Sequence, residues 1–266
     1  MTERNAVKIV VVTLFPDLVG QALRFGVLGR AIERRVLGVE TVSPRQYATD
    51  VHRTVDDRPY GGGPGMVMKA EPLRLATDEA SRRVPGARRI LLAADGIPVS
   101  QQKVAELAQA PGLVLVAGRY EGVDERFVEA CVDESLSVGD VVLSGGELPA
   151  LMVIDAVARL LPGTLGDAES AVQDSFVTGL LDWPHYTRPE RWAGRAVPAV
   201  LLGGNHAEIE RWRRQQSLGR THDRRPDLLR QRALSREELV LLEDYLAEQD
   251  ATRTVTGKQP LREGET

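Results

Sequence analysis

The sequence predicts an α/β protein with a parallel sheet in its first part and a smaller helical domain behind it. Three observations predict this. Apolar, β-branched runs recur in the first half, at residues 7–15 (VKIVVVTLF), 90–94 (ILLAA) and 113–117 (LVLVA). A helix-length segment separates the last two, which makes a strand–helix–strand unit and so a parallel pairing covered on both faces. The later part lacks such runs, and its apolar residues recur at helical spacing.

The run at 7–15 reads as one buried strand. In the segment between the second and third runs, Ser100 caps a helix that carries Val104, Leu107 and Ala108 on one face, and Pro111-Gly112 ends it. Residues 147–161 read as an apolar helix with Pro149 in its first turn, stopped by Pro162-Gly163. Residues 164–174 are polar without a period and read as a linker. Asn205 with Glu208 is a capping-box pattern, for a helix expected to run to Leu218 and end at Gly219. Ser235 with Glu238 repeats the pattern ahead of Leu239, Leu242 and Leu246. The residues from 251 onward are polar and read as a disordered tail. The expected division is 1–165 for the sheet domain, 166–175 for the linker, 176–250 for the helical domain and 251–266 for the tail.

The bulk numbers exclude several classes. The chain has 266 residues with 42% hydrophobic and 27% charged content, the profile of a globular protein. No stretch reaches the ~18 apolar residues of a membrane span. The start, Met1-Thr2-Glu3-Arg4, lacks a signal-peptide layout, so a cytoplasmic setting is expected. One cysteine, Cys131, leaves no disulfide framework. The four histidines, at 52, 185, 206 and 222, show no metal-ligand spacing, so no metal site is expected.

Net charge is −4, yet residues 188–232 hold eleven arginines against five acids. Trp192, Trp212, His206 and His222 are interleaved there. Arginine binds phosphate bidentately and stacks on bases, so RNA is the favoured partner over a merely solvated surface.

Four segments carry candidate chemistry. Residues 58–66 (RPYGGGPGM) hold four glycines in five positions, which suits a close backbone approach to a ligand. A phosphate-binding P-loop needs Gly-Lys-Ser/Thr, and Met66 follows instead. A flexible surface turn is the plain alternative. Residues 118–125, 137–147 and 94–96 are glycine-bearing segments, two of them at strand ends, where open α/β sheets bind ligands. Arg159 lies four residues after Asp155 and seven after Met152, on one helix face. An i,i+4 ion pair explains it without any function. Asp174, before Ser175-Phe176, has the position of an N-cap.

Taken together, residues 52–66 (HRTVDDRPYGGGPGM), 118–122 (GRYEG), 144–149 (SGGELP), 182–189 (DWPHYTRP) and 204–209 (GNHAEI) resemble the bacterial tRNA (guanine-N1)-methyltransferase family. The blocks occur in family order across roughly residues 14–234. The resemblance implies a SPOUT-type methyltransferase domain with a deep trefoil knot, followed by a small helical domain that binds the anticodon arm of tRNA. It implies S-adenosylmethionine as methyl donor, held by Leu92, Gly118, Tyr120, Glu121, Ser137, Val138, Gly139, Asp140, Val141, Val142, Leu143, Gly145 and Gly146. It implies Asp174 as general base, Arg159 as the cation facing guanine O6, and tRNA contacts through Arg58, Arg188, Arg213, Arg214 and Arg220. A homodimer with the active site at its interface is implied too, as is magnesium near the Glu121 carboxylate. Ala93-Ala94-Asp95 departs from the Ser-Pro pair the family usually carries. Two other classes stay open on the residues alone: a non-catalytic RNA-binding or ribosome-assembly factor, and a nucleotide hydrolase using the Gly61 loop. A SPOUT methyltransferase acting on another RNA is a third reading.

Overall fold

In the computed structural model, residues 7–166 and 173–256 are described, with side chains through residue 251. The chain forms two compact units, Met1–Ala171 and Val172–Thr266.

The first unit is a five-stranded sheet, in the order β2-β1-β6-β5-β7, with every pairing parallel. The strands are β1 (Val7–Val12), β2 (Leu37–Val42), β5 (Arg88–Pro98), β6 (Gly112–Ala117) and β7 (Glu134–Ser137). Two-residue strands β3 (Asp56–Asp57) and β4 (Val67–Met68) pair antiparallel as a separate hairpin. Side chains on a strand alternate between faces, and β1 shows it. Ile9 and Val11 enter one core with Val153, Ile154 and Val157. Val10 and Val12 enter the other with Leu73, Ala76 and Phe127. Both faces are buried, as the unbroken apolar runs require. The first core is closed by α1 (Pro16–Ala22), α2 (Gly26–Glu33), α4 (Gln101–Leu107) and α6 (Glu147–Leu160), the second by α3 (Ala70–Arg83) and α5 (Glu125–Cys131).

Several expectations shift by a few residues. β1 stops at Val12, because the Thr13 hydroxyl accepts the Phe15 N–H at 2.9 Å and Pro16 starts a helix. β5 runs four residues past the expected end at Ala94, through a register break between Leu92 and Ile97 where it pairs with β7. Gly96 permits this, since a Cβ there would lie 2.5 Å from Leu136 backbone atoms. The Ser100 cap forms as expected, its side chain accepting the Lys103 N–H.

The described part of the second unit includes helices α7 (His206–Arg224), α8 (Pro226–Arg230) and α9 (Arg236–Thr256). Strands β8 (Arg191–Trp192) and β9 (Arg195–Ala196) form a hairpin. The expected end of α7 at Gly219 is corrected: the helix continues to Arg224. Gly219 sits under the ring of Tyr245, and any Cβ would run into that ring. The glycine is there for close packing, not termination. Asn205 is the N-cap residue of α7 but makes no side-chain capping bond. Ser235 and Glu238 do form the reciprocal box: Glu238 N–H donates to Ser235 Oγ at 3.2 Å and Ser235 N–H to the Glu238 carboxylate at 2.9 Å. Leu241, Leu242 and Tyr245, not Leu239, face the core of the unit, with Leu180 and Leu218. The helix runs on through residues 251–256, which the sequence had placed in a disordered tail. Residues 257–266 and the linker residues 167–172 lie outside the described set.

Glu238 is also the electrostatic centre of this unit. Both Arg214 and Arg232 donate to it, Arg232 at 2.6 Å. Burial alone would raise its pKa, but the Ser235 N–H and the two guanidinium groups prevail and hold it below its ordinary 4.5. The stability it contributes is therefore complete above that value and declines as pH falls through the lower folded value.

Two outcomes follow for thermal melting. Glu238→Gln removes a pH-dependent part of second-unit stability, so melting curves of wild type and variant converge in acid and diverge near neutrality. Parallel curves across that range would show that Glu238 is not the titrating group. Gly219→Ala gains about 1 kcal/mol of helix propensity but overpacks against Tyr245 at a cost of about 1–3 kcal/mol. Net destabilisation is expected, and Tyr245→Leu should relieve it.

Candidate active site

The site begins where β5, β6 and β7, adjacent in the sheet, end at their carboxyl edges. Three segments leave from there: 93–96 within the irregular half of β5, 118–125 after β6, and 137–146 after β7. They enclose a cavity of about 450 Å³, a volume that suits a nucleoside-sized ligand. Leu92, Gly118, Tyr120, Glu121, Ser137, Val138, Gly139, Val141, Val142, Leu143, Gly145 and Gly146 line it together. Asp140, expected among them, is not a lining residue. Ala93, Ala94 and Asp95 line it as well, so the segment that departs from the family pattern is part of the wall. Pro149, Ser135 and Val128 also line it, and nothing in the spacing of Ser135 and Val128 singled those two out.

The walls are tied together by an ion pair between a buried carboxylate and a partly buried guanidinium. Glu147, 1% exposed, opens α6. Its carboxylate accepts the Thr13 hydroxyl at 2.8 Å and Arg119 Nε at 2.9 Å. Arg119 also donates to the Ser144 carbonyl at 2.9 Å and lies over the Phe15 ring, 4.3 Å from its centre. Beside it, Gly146 N–H donates to the Gly118 carbonyl at 2.8 Å. A Cβ on Gly146 would stand 2.7 Å from Ala117 Cα, so only glycine permits this crossing. The sequence shows Glu147 as one more residue of a Gly-Gly-Glu run. Its role becomes visible only when β1, β6 and α6 meet.

The glycine-rich segment 58–66 is the end of the β3–β4 hairpin, and Gly61, Gly62, Gly63 and Gly65 all take positive φ. It is tethered to the cavity wall: Glu121 N–H donates to the Met66 carbonyl at 3.0 Å and Met68 N–H to Gly122 at 2.9 Å. Arg58 sits exposed on it. Tyr120 takes φ 62°, an uncommon backbone for a residue with a side chain. Partial burial, then the charge of Asp56 on the hairpin, raises its hydroxyl above the ordinary value, so it remains a donor at neutral pH.

A second depression, of about 570 Å³, lies beside α3 between Tyr47, Asp78, Arg82 and Arg89. Its charged groups are already paired: Asp78 with Arg74, Arg82 with Glu79, Arg89 with Asp133. The glycine-walled cavity is the better ligand site.

Arg159 lies in the last turn of α6 in the first unit, partly buried, on a face with exposed Met152 and Asp155. Asp174, in the second unit, opens a turn rather than a helix, its carbonyl accepting the Val177 N–H at 3.4 Å. Of the expected RNA-contacting arginines, Arg188 is exposed, and Arg213 and Arg220 are half-buried. The Arg213 guanidinium stacks 4.8 Å from the Trp183 ring centre. Arg214 is taken up by Glu238 and so by the packing of α7 against α9. Among the described residues no group of three or more His, Cys, Asp or Glu side chains is placed to hold a metal ion.

Comparison with known proteins adds the lineage. The family described as tRNA (Guanine-1)-methyltransferase TrmD matches residues 7–231. A tRNA (guanine-N(1)-)-methyltransferase of Methylococcus capsulatus is 60% identical over 239 residues, covering 90% of this chain and 95% of that protein. Proteins of the same name from Alcanivorax borkumensis and Chromohalobacter salexigens are 56% and 54% identical, over 94% and 95% of this chain and 96% and 98% of their own. The match runs through both units and through every loop of the cavity, and the chain belongs to the tRNA (guanine-1)-methyltransferase family.

Proposed function

We propose that this protein transfers a methyl group from S-adenosylmethionine to N1 of the guanosine immediately 3′ of the anticodon in tRNA. The observation that carries the reading is the cavity at the carboxyl edges of β5, β6 and β7, walled by glycine backbone, in a chain whose family match spans 7–231. The fit to the donor is chemical as well as volumetric. Backbone amides offer donors to the adenosine, and Leu92, Val138, Val141 and Leu143 offer its flat ring apolar contact. When bound, S-adenosylmethionine supplies an electrophilic methyl on a sulfonium. We further assign the first unit to the SPOUT fold with its trefoil knot, and the second to recognition of the anticodon arm. The protein would act in the cytoplasm as a homodimer, and the apolar side chains of Leu148 and Met152, exposed on α6, support a partner on that face.

The chain's own residues then have two tasks. Guanine N1 is protonated at neutral pH and is a poor nucleophile until that proton leaves. The Asp174 carboxylate accepts it as general base. Negative charge then spreads to O6, and the Arg159 guanidinium stabilises it more in the transition state than in the ground state. Magnesium, where it takes part, would be held through the Glu121 carboxylate on the cavity wall, since that ion needs only one or two carboxylates and keeps several waters. Positioning by the cavity walls supplies much of the remaining acceleration.

Asp174→Asn should lower methylation by at least about 10²-fold while calorimetric binding of S-adenosylmethionine is unchanged. Full activity in that variant removes Asp174 from the mechanism. Glu147→Gln should weaken donor binding about tenfold, the scale of one lost charged hydrogen bond, whereas exposed Glu129→Gln on α5 should not. Equal affinities in the two variants would mean that the walls are held by something other than the Glu147–Arg119 pair.

A further inference from the structure

The β8–β9 hairpin (residues 191–196, RWAGRA) takes no part in the chemistry above. Trp192 stands directly opposite Arg195 in its antiparallel pair, and Arg191 opposite Ala196. A third rung continues the ladder, from the Val197 N–H to the Glu190 carbonyl at 2.9 Å. Both turn residues have positive φ, Ala193 at 49° and Gly194 at 77°. That is the two-residue turn whose twist matches its flanking strands. A matched turn on three rungs holds its side chains in fixed directions. Directly opposed residues project to one face, so the Trp192 indole and the Arg195 guanidinium stand side by side.

Trp192 is 72% exposed. An indole left outside forgoes one of the largest burial gains any side chain offers, which asks what it meets. Its surroundings answer in part. Between 188 and 197 lie Arg188, Arg191 and Arg195 against one acid, Glu190, and all three arginines are exposed. Elsewhere in the unit Arg211, Arg214, Arg225 and Arg232 are each matched to a carboxylate. Among the described residues, no ion pair engages the three arginines of the hairpin segment. The residues between and beside them on the hairpin, Ala193, Gly194 and Ala196, are small, so the hairpin itself adds no second large apolar side chain to the indole. An aromatic plane beside uncompensated guanidinium groups matches an unpaired nucleotide, with the base on the ring and the phosphate on the cation.

We propose that the Trp192–Arg195 face of this hairpin stacks an unpaired base of the RNA substrate and grips the adjoining phosphate. The proposal rests on the tRNA reading above and adds to it a contact that sets substrate affinity, not chemistry.

The test compares full-length wild type with Trp192→Ala, Trp192→Phe and Arg195→Glu, using unmodified tRNA transcript in equilibrium binding over a salt series and in methylation assays. Trp192→Ala should raise Kd and KM for tRNA about tenfold, with kcat and S-adenosylmethionine affinity unchanged, and Trp192→Phe should restore most of the loss. Arg195→Glu should reduce the slope of log Kd against log salt by about one. The proposal is overturned if Trp192→Ala binds tRNA as wild type does, if the phenylalanine variant loses as much as the alanine one, or if Trp192→Ala changes the oligomeric state instead of RNA affinity. Wild type that neither binds nor methylates tRNA would overturn the functional reading as well. Wild type that does both, beside an indifferent alanine variant, would overturn the hairpin alone.

Discussion

Glu147 brings a carboxylate to a place where almost no water reaches, at the junction of β1, β6 and α6. Removing one partner of such a pair costs about 3–5 kcal/mol, because the other charge is stranded. Thr13 and Arg119 answer it from two different strand ends. Satisfying this one group fixes three things at once: where β1 stops, how the segment after β6 turns, and where α6 starts. The glycines at 145 and 146 follow from the same constraint. The first must make room for the Arg119 side chain and the second for the Ala117–Gly118 backbone. The cavity is the space left between loops so restrained.

The second unit repeats the theme with different partners. Glu238 caps its own helix through Ser235 and draws in Arg214 and Arg232. Tyr245, pressed against Gly219, donates to Asp223 at 2.9 Å, and burial followed by that bond pushes its hydroxyl up to about 12. The arginine surplus of this unit is thus divided. One group is consumed by packing, and another, at 188–195, stays on the surface.

What could be read from residue order follows physical locality. β1 and β6 were legible because both their faces are buried and the runs are unbroken. α4 was legible because its cap is three residues from its partner. β7 (ESLS) was not, since polar residues at its edge position dilute the pattern, and β2 (LGVETV) is similarly mixed. Gly219 was misread because a helix-ending glycine and a helix-packing glycine look identical until Tyr245, twenty-six residues away, is brought over it. The three segments that line the cavity were legible as glycine-bearing strand ends, whereas the individual lining residues came from the family resemblance, which carries long-range arrangement that periodicity lacks. Glu147 and Thr13, 134 residues apart, announce nothing locally.

Gly146 lines the cavity and passes so close to Ala117 that no side chain fits there, and Gly118, Gly139 and Gly145 likewise present main chain to the space. Main-chain amides are the same whichever residue bears them. Ala93, Ala94 and Asp95, which stand where the resembled family usually carries a Ser-Pro pair, line the same cavity. A main-chain wall also bears on inhibitor escape. A compound seated in this cavity and held by these amides would leave few side chains to alter, and Gly146 could not be exchanged without a clash at Ala117.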